Sequence, residues 1–351
     1  MKVQQGDFLK SEKRSNGRLT AIRYREIHTQ ILRFLAQAGW ARDVQVAGWL
    51  DASVPTIRKA LIELRNLGLT KSQRTYAKLR TFESGDVRER AVTVWAITSK
   101  ASNEKYLGSW EVAGYTEELY SAPPGELSNL KMVDHRLCVN DVAVLYARFG
   151  FQVAFEAEMK RLDGIGFTAS KRLEKVWAAG KIPHFPDLGL ISPNSPIRWG
   201  VEIERKLGTV ESYEVVIQKF LDSQMGQLWF CQRETVTKAI LRACENRGII
   251  LREYTYPYGN VWISENGLVR IMRYPCGVEA LDKYLDKSSR YGIFWEVVAG
   301  LPVRCSSISP DGKLSTWEVT GGSIPLLGFP GELKLQERRQ LWQMRSQNKH
   351  P

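Results

Sequence analysis

Four charged residues in one short segment, HFPDLGLISPNSPIRWGVEIERK (residues 184–206), have types and a spacing suited to chemistry. Asp187 precedes a short apolar run, and turn-forming residues separate this run from an alternating segment that carries Glu202, Glu204 and Lys206. In a strand, the last three side chains would share one face. A hairpin would bring Asp187 beside Glu204, and two neighbouring carboxylates can bind a hard divalent cation such as Mg²⁺. Lys206 could then orient or deprotonate a water molecule.

The same charges also have a purely structural interpretation. A hairpin with one solvated face would carry Glu202 and Glu204, flanked by Arg205 and Lys206, without forming any site. Within the chemical interpretation, Glu202 is an alternative to Glu204 as the second carboxylate. The sequence does not decide between these two glutamates.

The order of these residues resembles the PD-(D/E)xK nuclease superfamily, whose core has the restriction-endonuclease fold. Pro186-Asp187 match the PD, and Glu204-Arg205-Lys206 match the (D/E)xK. The resemblance implies hydrolysis of DNA phosphodiester bonds with Mg²⁺ or Mn²⁺, with Asp187 and Glu204 as metal ligands and Lys206 as a further catalytic residue. It also implies supporting groups, which are the backbone carbonyl of Arg205, Glu156 or Glu158 on a preceding strand, and Gln218 on the following helix.

The pattern around this segment predicts an α/β domain, residues 131–255, with a mixed sheet flanked by helices. The sheet would place the carboxylates, and the helices would cover it. The predicted elements are an amphipathic helix at 134–150, a strand at 151–158 with Glu156 and Glu158 on one face, the hairpin, a helix carrying Tyr213 and Phe220, a strand at 227–232, a helix at 236–245 and a strand at 248–254.

The first 110 residues have a strongly basic composition. They hold 20 Lys and Arg against 10 Asp and Glu, whereas the other 241 residues hold 30 against 28. A basic module joined to a nearly neutral body favours a polyanionic partner, and nucleic acid is the usual one. Double-stranded DNA is therefore the predicted partner.

The same region has the pattern of a small helical domain at residues 20–110. Ser53 is a candidate N-cap for the third helix, and Gly68 is a candidate end for it. Basic residues are expected in a loop between the two strands that follow. The predicted elements are a flexible tail at 1–19, helices at 20–37, 43–50 and 54–66, and strands at 69–76 and 91–98.

This order resembles a winged helix-turn-helix, and VPTIRKALIELRNLGL resembles its recognition helix. Thr56, Arg58 and Lys59, near the start of that helix, are candidates for contacts in the major groove. Basic side chains of the wing would contact phosphates, which gives affinity without sequence information. A winged helix used for protein contacts is the alternative. The further candidate DNA-binding residues are Arg65, Arg74, Lys78, Arg80, Arg88 and Arg90.

The combination of a winged helix, the helix DHRLCVNDV, a glutamate-bearing strand, PD and VEIER resembles the replication-relaxation proteins of bacterial plasmids and mobile elements. The match spans residues 20–255, and His135, Asn140 and Asp141 match that family's helix signature. It implies a role in plasmid replication or mobile-element DNA transactions, with a second copy or other mobile-element proteins as further partners. A non-catalytic DNA-binding regulator or replication factor with a degenerate nuclease fold is the alternative.

Composition argues against several other classes of protein. No apolar run reaches the roughly 20 residues of a membrane span, and the N-terminal residues lack the apolar core of a secretory signal. The five cysteines are widely spaced and form no CxxC, so a cytoplasmic protein without disulfides or a Cys-based zinc site is expected. Residues 111–130 are predicted to be a linker, and 256–351 an α+β extension that includes a hairpin at 259–272.

Overall fold

The structure is a computed structural model, and the chain in it forms two compact units. The first unit comprises Met1–Phe149, Val153–Arg161 and Pro275–Leu281, and the second comprises Gly150–Gln152, Leu162–Tyr274 and Asp282–Pro351. These bounds differ from the predicted domain bounds, because the helix expected to open the nuclease-like domain belongs to the first unit. The described residues are 8–10, 21–23, 26–80, 86–101, 107, 110–112, 115–117, 133–148, 151–156, 159, 185–191, 198–222, 225–256, 259–265, 267–274, 277–280, 303–308 and 314–319.

The first unit contains four helices, two strands of 11 residues and several short strands among its described residues. In chain order these are β1 Phe8–Lys10, β2 Ala21–Arg23, α1 Glu26–Ala38, β3 Trp40–Ala41, α2 Asp43–Leu50, α3 Val54–Asn66, β4 Thr70–Arg80, β5 Val87–Ile97, β6 Trp110–Val112, β7 Tyr115–Glu117, α4 Val133–Arg148 and β8 Gln152–Phe155. The bounds predicted for α2 and α3 are confirmed. Strand β1 lies among the residues predicted to be a tail, and β6 and β7 form an antiparallel pair that runs from Trp110 into the residues predicted to be a linker.

Helix α1 begins at Glu26, not at the predicted residue 20. The preceding residues of β2 pair with β1, so their backbone groups are used in a sheet and cannot also start a helix. Helix α3 begins and ends at the predicted signals. The Ser53 hydroxyl accepts a hydrogen bond from the Thr56 backbone N–H at 3.3 Å, and Gly68 has a φ of +71°. The apolar face of α3 is fully buried, namely Ile57, Ala60, Leu61 and Leu64.

The basic residues predicted to lie in a loop lie on paired strands. Strand β4 pairs antiparallel with β5 along its whole length, with Lys78 opposite Glu89 and Ala77 opposite Arg90. The apolar alternation continues to Leu79 in β4, but it is absent from the outer part of β5, where residues 87–91 are all exposed. Strand β3 completes a three-stranded sheet in the order β3-β5-β4.

Helix α4 is buried on nearly all sides, although its sequence pattern predicted an amphipathic helix. Every residue from Leu137 to Tyr146 is buried. Two of them are polar, and both have hydrogen bonds: Asn140 Nδ2 donates to the Trp40 carbonyl at 2.8 Å, and Asp141 accepts from Gln45 Nε2 at 2.7 Å. Polar residues in this position reduce the apolar periodicity without making the helix face solvent.

Arg42 is the centre of a buried polar network in this unit. Its guanidinium lies 3.4 Å from an Asp141 carboxylate oxygen and also pairs with Glu279, in the short 3₁₀ turn Val278–Ala280. Gln45 donates a second bond from its amide to the Leu137 carbonyl at 2.8 Å. The arginine and Asp141 have side chains only 8% and 3% exposed, so each charge depends on the other for compensation.

Glu279 gives this network a pH dependence. Burial acts to raise the pKa of Glu279, but the charge and hydrogen bonds of Arg42 outweigh it and lower the pKa. A carboxylate whose pKa is lower in the folded protein than in the unfolded chain stabilises the fold at pH values above the unfolded-state pKa. This stabilisation is lost as the pH falls through the pKa of the folded state. We expect NMR titration of the Glu279 carboxylate to have a midpoint below the ordinary glutamate value, and Arg42→Met to raise it. An ordinary midpoint in the unsubstituted protein would contradict the ion pair.

The second unit contains a mixed sheet and two helices among its described residues. Its elements are β9 Leu188–Ile191, β10 Arg198–Glu204, α5 Val210–Asp222, β11 Gly226–Cys231, α6 Glu234–Asn246, β12 Leu251–Tyr256, β13 Gly259–Ser264, β14 Val269–Arg273, β15 Val303–Ile308 and β16 Leu314–Val319. Within this unit the strands of the sheet have the order β12-β13-β14-β11-β10-β9. The predicted mixed α/β class is confirmed.

Several predicted bounds in this part of the chain need correction. Strand β8 ends at Phe155, so Glu156 is not in it and begins a different conformation. Strand β12 begins at Leu251, because residues 247–250 end α6 and turn the chain. The hairpin of β13 and β14 is confirmed, with Gly267 at a φ of +70° in its turn. Of the rest of the predicted extension, the described residues are the 3₁₀ turn Val278–Ala280 and the antiparallel pair of β15 and β16.

Helices α5 and α6 cover one face of the sheet, and apolar side chains of β11 and β14 pack beneath them. Gly200 of β10 is part of this packing, since a Cβ atom there would lie 2.1 Å from the Phe220 ring. Among the described residues, no helix is long and apolar enough to span a membrane.

Candidate active site and candidate DNA interface

The topology of the second unit brings its charged residues to one edge of the sheet. Strands β10, β11 and β14 are parallel, and β9 is antiparallel to β10. The start of β9 therefore lies at the same edge as the carboxyl ends of the other three. Asp187 immediately precedes β9, and Glu204 ends β10. In open α/β sheets this edge is the usual position of ligand sites.

Asp187 is held against β10 by a hydrogen bond. One of its carboxylate oxygens accepts from the Ile203 backbone N–H at 2.9 Å. The pairing of Val201 with Leu188, continued by one residue, places Asp187 level with Glu202. Glu204 is two residues further along the same strand face. The predicted hairpin is confirmed, and both glutamates are candidate partners of Asp187.

The two glutamates have different environments. Glu202 is 8% exposed, whereas Glu204 is partly exposed at the end of the strand. The alternation along β10 and its pairing with β11 put both on the face that carries Trp229 and Cys231, which α5 and α6 cover. This burial argues against the alternative of a fully solvated charged face. Burial raises the pKa of Cys231 to about 12, and the nearby charge of Glu204 contributes in the same direction.

Lys206 lies beyond the end of β10, so the prediction that it continues the strand face is wrong. The strand ends at Glu204, and Lys206 is exposed in a bend that leads into α5. Its backbone carbonyl accepts a hydrogen bond from the Tyr213 hydroxyl at 3.2 Å. Lys206 therefore remains at the edge of the sheet, but a loop rather than the pleat positions it.

Gln232 belongs to this edge and was not predicted. It follows β11 directly, and its backbone N–H donates to the Glu204 carbonyl at 3.0 Å. Its side-chain oxygen accepts from Arg205 Nε at 3.2 Å. The sequence QLWFCQ, an apolar strand followed by a polar residue, was the signal that could have identified Gln232. Arg205, predicted to contribute its backbone carbonyl, thus has its side chain directed to Gln232.

For the three remaining predicted residues of this site, the structure does not test the predicted roles. The Gln218 amide donates to Asp222 of α5 at 2.9 Å and accepts from Arg247, directly after α6, at 3.2 Å, so both ends of the amide have partners. Glu156 follows β8 in the first unit, and Glu158 lies outside the described residues. Their predicted roles stay predictions.

The residues at the edge fit a hard cation by their chemistry. Asp187, Glu202 and Glu204 supply carboxylate oxygens, which Mg²⁺ and Mn²⁺ prefer. Within the described part of the chain, no group of three or more His, Cys, Asp or Glu side chains is arranged to hold a metal ion. A site of the predicted kind needs fewer such side chains, because a backbone carbonyl and substrate or water oxygens complete the shell.

The exposed side of α3 is the first candidate surface for DNA. Thr56, Arg58, Lys59 and Arg65 are all exposed, as predicted. Two of these cations have partners: both Nε and a terminal nitrogen of Arg58 lie within 2.8 Å of an Asp43 carboxylate oxygen. The Arg65 guanidinium lies 5.7 Å from the Trp95 ring centroid, and donates to the Ser72 hydroxyl at 3.4 Å.

The hairpin of β4 and β5 divides its basic residues between two faces. Alternate residues of a strand point to the same face, so four side chains of β4 lie on one side of the hairpin. They are those of Arg74, Tyr76, Lys78 and Arg80, and the β5 residues directly opposite them share this face. We call this the tyrosine face, because Tyr76 is 66% exposed there. It also carries Ser72 and Trp95, the partners of Arg65, so it is continuous with the side of α3 that Arg65 occupies.

Arg88 and Arg90 lie on the opposite face, which we call the helix face. They are opposite Leu79 and Ala77, which are buried in a cluster with Val133 and Leu137 of α4. The charge of Arg90 also lowers the pKa of Glu279, although it does so less than Arg42 does. No family of proteins, no curated protein and no solved structure matches this chain, so the interpretation of both surfaces rests on their geometry and chemistry.

Proposed function

We propose that this protein binds duplex DNA through its first unit and hydrolyses DNA phosphodiester bonds at the edge of the sheet in its second unit, with Mg²⁺ or Mn²⁺. The observation that carries the proposal is the pairing of β9 with β10, which brings Asp187 level with Glu202 and near the strand end at Glu204. The fold we propose is a winged helix-turn-helix joined to a restriction-endonuclease-like domain. The resemblance to replication-relaxation proteins suggests plasmid replication or mobile-element transactions as the context.

In this proposal the residues at the edge have separate tasks. Asp187 and Glu204 would hold the metal ion through carboxylate oxygens, with Glu202 as the alternative ligand and the Arg205 carbonyl as a further one. When bound, the ion would polarise the phosphodiester and stabilise the leaving oxygen. Lys206 would orient or deprotonate the attacking water, for which its exposed position at the edge is suitable.

The decisive test is incubation with supercoiled plasmid and with duplex oligonucleotides in Mn²⁺ or Mg²⁺, beside EDTA and beside a variant at Asp187. Metal-dependent cleavage that the variant loses would support the proposal. DNA binding without cleavage by any metal would instead support a non-catalytic regulator or replication factor. The position of Lys206 beyond the strand end is the observation that favours this second function.

The two faces of the hairpin make the DNA-binding part of the proposal specific. We expect the tyrosine face and the exposed side of α3 to contact DNA, since Arg65 connects these two surfaces. The helix face is less suited, because α4 packs against the same face beside Arg88 and Arg90. Arg58 would have to exchange its bond with Asp43 for one with DNA.

The two faces also provide a matched pair of variants. Arg74→Ala with Lys78→Ala removes two cations from the tyrosine face, and Arg88→Ala with Arg90→Ala removes two from the helix face. We expect the first pair to weaken DNA binding for all sequences and to reduce the slope of log K against log salt by about two, one for each lost phosphate contact. The second pair should have a much smaller effect.

Fluorescence anisotropy titrations from low to moderate salt would measure this difference. Lys59→Ala, on α3, should in contrast weaken binding to a preferred sequence more than binding to random DNA. Equal losses of DNA affinity in the two double variants of the hairpin would show that DNA does not bind preferentially to the tyrosine face. Unchanged affinity in all these variants would contradict DNA binding by the first unit.

A further inference from the structure

The loop that carries Lys206 is tied to α5 by one side chain. The Tyr213 hydroxyl donates to the Lys206 carbonyl at 3.2 Å and accepts from the Gly208 backbone N–H at 2.9 Å. It therefore bridges two backbone groups on either side of Leu207, whose own side chain is 59% exposed and adds little packing. A phenol can donate and accept at once, which this bridge requires.

The ring of Tyr213 is buried and packed against a second aromatic ring. Tyr213 is 3% exposed, and its ring packs edge-on against Trp229 with the centroids 6.1 Å apart. Burial raises its pKa, and the nearby charge of Glu204 contributes in the same direction, so the hydroxyl keeps its proton at neutral pH. The ring is thus anchored in the core beneath the sheet edge, while its hydroxyl reaches the loop.

Gly208 allows the loop to lie this close to the ring. A Cβ atom at this position would lie 3.1 Å from the Tyr213 Cζ atom and 3.2 Å from its hydroxyl oxygen. It would also lie 3.0 Å from the Ser212 hydroxyl. Few real Cβ atoms have contacts as short as these, so a Cβ atom at this position would require the loop and the tyrosine to shift by a few tenths of an ångström.

We propose that Tyr213 is a positioning residue, which fixes the loop and thereby holds Lys206 at the edge of the sheet where Asp187 and Glu204 lie. This inference rests on the proposed function for the chemical role of Lys206. The link between Tyr213 and the loop stands on the hydrogen bonds alone. Tyr213 does not act on DNA or water itself in this proposal.

Tyr213→Phe removes the hydroxyl and keeps the ring, so it tests the hydrogen bonds separately from the packing. We expect it to retain the fold and the stabilisation by Mn²⁺, but to increase tryptic cleavage after Lys206 on the order of tenfold, because the loop opens more often. Its kcat for DNA cleavage should fall by about 10-fold to 100-fold, with KM unchanged, since Lys206 is misplaced rather than removed.

Two further variants sharpen the test. Ser212→Ala removes the bond that the Ser212 hydroxyl donates to the Thr209 carbonyl in the same turn, yet it should leave proteolysis after Lys206 and kcat unchanged. Gly208→Ala should reproduce the effects of Tyr213→Phe, and the double variant should be no worse than either single one, because both break the same contact.

Each outcome has a distinct meaning. Unchanged proteolysis in Tyr213→Phe would show that the hydroxyl does not hold the loop. Increased proteolysis with unchanged kcat would overturn the positioning role. If the unsubstituted protein cuts no DNA with any metal, the proposed function and the chemical role of Lys206 both fail, and proteolysis still decides whether Tyr213 holds the loop.

Discussion

Replacement of Asp187 by asparagine is expected to abolish metal-dependent cleavage of DNA, with a loss of about 10³-fold or more in rate. The expectation follows from the several kcal/mol that a bound cation contributes to charge stabilisation in phosphoryl chemistry. The amide oxygen of asparagine can still accept from the Ile203 N–H, so this variant keeps the hydrogen bond that joins β9 to β10. The loss of function would therefore not be a loss of fold.

Thermal unfolding supplies a second readout for the same variant. A ligand that binds only the folded protein stabilises it by about 2.7 kcal/mol at 100 times its Kd. We expect Mn²⁺ to raise the Tm of the unsubstituted protein and to leave the Tm of Asp187→Asn unchanged. Asp187→Ala should also be less stable without metal, by about 1–3 kcal/mol, because the Ile203 N–H loses its partner.

The same measurements distinguish the two glutamates. We expect Glu204→Gln to lose both cleavage and stabilisation by Mn²⁺, since Glu204 is the more exposed carboxylate and ends the strand. Glu202→Gln should be milder. The opposite result would assign the metal to Glu202, which the strand pairing places level with Asp187. Lys206→Ala should abolish cleavage and keep the stabilisation by metal. A Tm that no divalent cation changes, together with intact DNA, would mean that the site does not function.

Replacement of Arg42 by methionine is expected to destabilise the first unit by about 3–5 kcal/mol. The carboxylate of Asp141 is 3% exposed and would lose the Arg42 cation, and the Gln45 amide, which has no net charge, would not replace it. Unfolding in urea, followed by a signal from the first unit, would measure the loss. Glu279→Gln is the matched control, because this side chain is 47% exposed and should cost about 1 kcal/mol or less.

A double variant, Arg42→Met with Asp141→Leu, should recover much of the lost stability, because a buried ion pair can often be replaced by apolar groups of similar size. This result would identify Asp141 as a structural residue of α4. If Arg42→Met were as stable as the unsubstituted protein, the network would not hold α4 to α2. A loss of metal-dependent stabilisation in folded Asp141→Asn would instead indicate a chemical role for the helix signature.

Local features of this protein were predictable from the sequence because their causes lie within a few residues. The bounds of α2 and α3, the Ser53 cap and the turn at Gly267 depend on capping, glycine conformation and helical periodicity. The pairing of β9 with β10 was also predictable, since the turn-forming residues between two apolar runs indicate a hairpin. These features are sufficient to bring Asp187 to β10.

Contacts between distant residues decided the remaining features. The register of β9 against β10 made Glu202 level with Asp187, and Lys206 lies in a loop beyond β10, where its carbonyl bonds to Tyr213. The alternation of charges on β4 and β5 could not show which cations share a face with Leu79, because that depends on pairing across the hairpin. Asn140 and Asp141 made α4 look amphipathic, although partners far away in the chain compensate their burial. Strand register and buried polar pairs depend on which distant surfaces meet, and local periodicity contains no information about that choice.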